Sequence, residues 1–177
     1  MLLRERLLRM SHPAEVCEIA ADAGTPDAVQ ELYGLLFDEQ TKLSYRAAWV
    51  LSRLAATQIA PLGKNYDRLI SAAVRTPHAG CRRMLLHLLH RLPQPAIPAV
   101  DLLDFCLERM TNPKEPHGVR MLCIKIAYGI CRTDPDLRQE FGILLDQLEQ
   151  EPLPPSLSAA CRNIRTARGN RRPPSWR

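Results

Sequence analysis

The sequence predicts an all-α fold, an α-solenoid of about four to five stacked helix pairs. Three observations carry this reading. An arginine-led apolar phrase returns along the chain, as SYRAAWVLSRL at 44–54, GCRRMLLHLLHRL at 80–92, GVRMLCIKIAYGI at 118–130 and, in worn form, SLSAACRNIRTA at 156–167. The 15 prolines fall in clusters, and proline is tolerated in a helix's first turn but expelled from its interior. Between the clusters, apolar residues recur at three and four, as in Leu85, Leu88, Leu89 and Leu92, and no segment sustains the alternation of a strand.

Read in order, helices are expected at about 1–10, 13–23, 26–38, 42–57, 64–76, 78–92, 96–111, 116–132, 135–150 and 156–167, with ends uncertain by two to four residues. Thr25-Pro26-Asp27 supplies a cap, a first-turn proline and an acid suited to the helix dipole. Thr133-Asp134-Pro135-Asp136 repeats the device before the ninth helix. The helices group as pairs at 26–57, 64–92, 96–132 and 135–167, with 1–23 a partial pair at the front. The second helices recur at roughly 37 residues, the period of a helical repeat that covers its neighbour's apolar face.

Length and composition fit one domain over 1–168 followed by a basic tail at 169–177, GNRRPPSWR, whose Gly, Pro and charge predict disorder. Hydrophobic residues make up 46% and aromatics only 5%, a core of aliphatic side chains. No apolar run approaches the roughly 18 residues of a membrane span. Arg4, Glu5, Arg6 and Arg9 stand where a signal peptide needs its apolar centre, so a cytoplasmic location is expected. Six cysteines, all in expected helices and with no CxxC, are read as small buried thiols. The formal charge of +5 is carried by Arg165, Arg168, Arg171, Arg172 and Arg177, leaving the body of the chain neutral.

Val119-Arg120, opening a second helix ahead of apolar positions at helical spacing, resembles HEAT repeats; Tyr45-Arg46 and Cys81-Arg82 follow the same pattern. Gln40, Thr76 and Lys114 stand six residues before these arginines, where the family pattern has Asp. The resemblance covers residues 26–167. It implies a right-handed superhelix with the second helices on its concave side, and it extends distantly to the HEAT-like DNA alkylation-repair proteins. In those proteins aromatics and a carboxylate line the groove. Here Trp49 is followed one turn later by Arg53, and the helix 42–57 holds no carboxylate, so no glycosylase chemistry is expected.

Other catalytic signatures are missing from the sequence: no GxSxG, GxGxxG, P-loop or HExxH. His87 and His90 lie three apart, but no acid occurs in 78–92 to complete a metal site. Neither a metal, a cofactor nor an enzymatic activity is expected. What stands out is charge. The second helices hold Lys42, Arg46 and Arg53, then Arg82, Arg83 and Arg91, then Arg120, Lys125 and Arg132, then Arg162, Arg165 and Arg168, with no acid among them. The first helices are acidic, with Asp27, Glu31, Asp101, Asp104, Glu108, Asp136 and Glu140. Either the two rows neutralise each other through ion pairs, or the basic row forms an anion-binding groove. The second reading names Arg46, Trp49, Arg53, Arg82, Arg83, His87, Arg120, Lys125 and Arg162 as binding residues of a non-enzymatic scaffold. Its expected partner is an acidic protein or peptide, or alternatively a nucleic-acid backbone, with no membrane involved.

Overall fold

The computed structural model of the chain describes residues 2–95, 97 and 99–170, with backbone alone at 168–170. Every element among them is helical, and none is long and apolar enough to cross a membrane. Two compact units are present, 1–95 and 96–177.

The first unit begins with α1 (Leu3–Arg9) and α2 (Glu15–Asp22), followed by α3 (Pro26–Leu35) and α4 (Thr41–Leu51). A short α5 (Ala56–Ile59) runs into a 3-10 segment (Ala60–Asn65), and α6 (Tyr66–Arg75) and α7 (Ala79–Arg91) complete it. The Thr25 hydroxyl accepts from the Ala28 N–H, with Pro26 in the first turn of α3. At α2, Glu15 Oε1 reaches back to accept from the Ser11 N–H, the Ser11 hydroxyl and the His12 N–H. Those donors hold its carboxyl below the ordinary carboxylate range. Helix α4 is the hub: α1, α2, α3 and α7 all pack on it. It buries Leu43, Ala47, Ala48, Val50 and Leu51 to do so.

The expected helix 42–57 is shorter than its apolar pattern suggests. It stops at Leu51 because the Ser52 hydroxyl takes the Trp49 carbonyl at 2.6 Å and the Arg53 N–H takes that of Val50. These i→i+3 links tighten the last turn and end the ladder. A new helix then starts at Ala56, where Gln58 Oε1 accepts from the Ala55 N–H while its Nε2 donates to the Gly24 carbonyl. Arg53 therefore lies in a turn, outside any helix.

In the second unit α8 (Val100–Thr111), α10 (Pro135–Leu148) and α11 (Pro155–Asn170) each pack on α9 (His117–Cys131). Asp134 caps α10 by accepting from the Asp136 and Leu137 N–H groups, ahead of Pro135. Helix α9 is apolar almost all round and buries Val119, Leu122, Cys123, Ile124, Ile126, Ala127 and Ile130, as a central helix must. Five cysteines are buried as expected, whereas Cys17 is exposed. Burial pushes the Cys161 thiol up to about 11, helped by Glu149. Burial likewise raises Cys131, with Asp134 adding to the effect. These thiols stay protonated at neutral pH. Of the expected tail, residues 171–177 lie outside the described ones.

Candidate binding face

Arginines that open the repeated phrase turn out to hold helix ends. Arg46 on α4 donates from Nη1 to the carbonyls of Leu7 and Leu8, at 2.6 and 3.1 Å, in the last turn of α1. Arg82 on α7 donates from Nη2 to Thr76 O at 2.7 Å, just past the end of α6. Arg120 on α9 donates from Nε to Met110 O at 3.0 Å, at the end of α8. Arg91 completes the set by donating to the Ser52 and Leu54 carbonyls beyond α4. The last carbonyls of a helix have no intrahelical donor and carry the negative end of its dipole. A guanidinium, with five donors that never deprotonate, fits them better than any other side chain. A recurring arginine therefore marks a recurring helix end.

These bonds go to backbone carbonyls, a partner that neither outcome expected for the charge rows includes. Arg165 follows the ion-pair reading, bonding Asp146 at 2.6 Å and also Glu149.

The remaining basic residues differ by unit. In the first, Lys42, Tyr45 and Trp49 fall at helical spacing on one stripe of α4, with Lys42 exposed and the two rings half-exposed. Tyr45 and Trp49 stack at 5.7 Å between centroids, and Tyr45 lies 6.1 Å from the His78 ring. His78 caps α7, its Nδ1 accepting from the Cys81 N–H. Gly80 permits the approach: a Cβ there would stand 2.8 Å from the His78 ring and 3.3 Å from that of Tyr45. The stripe of α4 thus meets the start of α7, where Arg83 is exposed and His87 half-exposed one turn later. Arg53 is exposed near the end of the α4 stripe, beside Cys17, Ala20 and Ala21 of α2. Neither α4 nor α7 carries an acid.

In the second unit Lys125 is half-buried in α9, and desolvation lowers its ammonium pKa. Arg162 is exposed on α11, and Arg120 is only 7% exposed. Among the described residues, no group of three or more His, Cys, Asp or Glu is placed to hold a metal.

A sequence profile described as HEAT repeat domain matches residues 3–168. No curated protein and no solved structure matches the chain, so the comparisons supply no relative for the alkylation-repair resemblance. HEAT repeats are generally protein-interaction scaffolds and typically non-enzymatic. With the profile spanning nearly the whole chain, the protein belongs to the HEAT repeat domain family.

Proposed function

We propose that the chain is a non-enzymatic scaffold that binds an acidic protein or peptide on the α4–α7 face of its first unit. One observation supports this most: two packed helices without a single acid present Lys42, Arg83 and nearby Arg53 beside half-exposed aromatic rings. Unlike Arg46 and Arg91, these exposed cations are not the arginines that cap neighbouring helix ends. Tyr45 and Trp49 add contact area at low entropic cost, as aromatic residues do at interface centres. Each exposed ion pair contributes little, about 0.2–1 kcal/mol, so the face works through several contacts at once.

The test is fluorescence anisotropy with a labelled poly-glutamate peptide, using wild type and the K42E/R53E/R83E variant. Binding by wild type, lost in a variant with unchanged helicity, is the expected result. A variant that binds as well as wild type removes this face from the protein. A second reading rests on the same two rings, because single-stranded nucleic acid stacks on aromatics beside a basic groove. Tighter binding of a labelled oligothymidylate than of the peptide, falling steeply with salt, would favour that reading.

A further inference from the structure

The second unit holds a largely buried cation for which the described residues show no ion pair. Arg120 is 7% exposed, and its guanidinium donates from Nε to Met110 O. The guanidinium fork carries four further N–H donors. Among the described residues no carboxylate pairs with it. The buried Glu115 is held by Arg109 at 3.0 Å.

Arg120 lines a cleft of about 550 Å³ formed by the end of α8, the start of α9 and the α10–α11 connection. Its other walls include His117, Leu144, Leu148, Leu153 and Pro154. The start of α9 stands at the same cleft. Pro116 provides no side-chain cap there, and its carbonyl is taken by the Val119 and Arg120 N–H groups. The N–H groups of His117 and Gly118 belong to the positive end of this 15-residue helix, where the first N–H groups have no intrahelical acceptor.

We propose that this cleft is a carboxylate-binding site, which takes one acidic group of a protein segment together with the apolar side chains flanking it. The planar guanidinium fork matches a carboxylate, and the leucine and proline walls match its neighbours. Exposed Glu151 at the edge opposes a second negative charge, which sets a monoanionic carboxylate above a phosphate. The site shares no residue with the α4–α7 face and stands whether or not that face binds.

The experiment titrates the full ¹⁵N-labelled chain with N-acetyl-leucyl-leucine, with its C-terminal amide, and with inorganic phosphate. The free acid is expected to shift the amide signals of His117, Gly118 and Arg120 saturably, binding about tenfold more tightly than the amide. N-acetyl-Leu-Glu-Leu-amide places the carboxylate on a side chain instead, and whichever peptide binds more tightly identifies its source. The R120Q variant should lose the preference for acid over amide. Because Arg120 also holds the end of α8, the E151Q variant gives an independent check: about twofold tighter binding of the free acid, with the amide unchanged. Equal binding of acid and amide would overturn the site, as would tighter binding of phosphate. Absence of saturable shifts with either peptide would overturn it as well.

Discussion

Helices α4 and α9 are each the hub of their unit and each carries an arginine that caps another helix, yet they present different surfaces. Helix α4 leaves Lys42, Tyr45 and Trp49 open on one stripe. Helix α9 packs α8, α10 and α11 and leaves a stripe of Gly118, Met121, Lys125 and Gly129 half-buried, with Lys125 its one charge. The arginine is thus a marker of architecture, whereas what a hub helix offers outward is decided by the side chains on its uncovered stripe, since α4 packs four helices and α9 three. Binding residues should be sought where the hub stays open, as in the first unit, or where its end borders a cleft, as at Arg120.

The largest effect that could break this comparison is a core truncation. Ile126 is fully buried in α9, so Ile126→Ala should cost about 2–5 kcal/mol in urea denaturation. Trp49→Ala, removing a larger but half-exposed side chain, should cost less than about 2 kcal/mol. Equal costs would mean that Trp49 is core, and the open stripe of α4 would vanish.

Capping and exposed arginines separate next. Arg91→Met keeps the apolar stem but leaves the Ser52 and Leu54 carbonyls without their donor, and should cost about 2 kcal/mol. Arg83→Met should stay within about 0.5 kcal/mol of wild type, as exposed substitutions do. A costly Arg83→Met would place that guanidinium in the structure of the repeat, against the proposed role of the face.

Much of the fold was legible locally. Thr25-Pro26 and Asp134-Pro135 open helices as their side-chain chemistry dictates. The end of α4 was not legible, because part of what satisfies it comes from Arg91, about 39 residues away. The role of the arginines was hidden for a related reason. Their partners are carbonyls, which every residue has, so no spacing of carboxylates could reveal them. The Arg120 cleft draws its walls from α8, α9, α10 and the α10–α11 connection, and only the packing of α9 brings these together.

Gly80 sharpens the comparison on a smaller scale. A methyl group at this position would meet the His78 ring at 2.8 Å, and that ring is pinned as the cap of α7. Gly80→Ala should therefore sacrifice the cap, costing about 1 kcal/mol, despite the better intrinsic helix propensity of alanine. Loss of the ring-current shift between Tyr45 and His78 in the NMR spectrum would confirm where the strain falls. A stabilised variant would show that the α4–α7 junction is looser than its geometry implies.

The smallest effect concerns Lys125, the polar position of the second hub. Burial lowers its pKa, so the folded chain holds this proton less tightly than the unfolded chain does. Stability rises with pH wherever the unfolded state binds more protons. The penalty is therefore complete below the lowered folded value and is relieved as pH climbs from there toward the ordinary lysine value. Lys125→Met keeps the stem and removes the charge, so its balance against wild type should be most favourable to the variant at pH 7. The pH-dependent part of that balance should be less than about 1 kcal/mol, since partial exposure screens the penalty. That part should shrink as pH rises through the alkaline range. Other lysines and tyrosines titrate there too, so the measurement is the difference between the two denaturation curves at each pH. A difference that stays flat with pH would mean that water reaches Lys125 freely, and that α9 has an open face like that of α4.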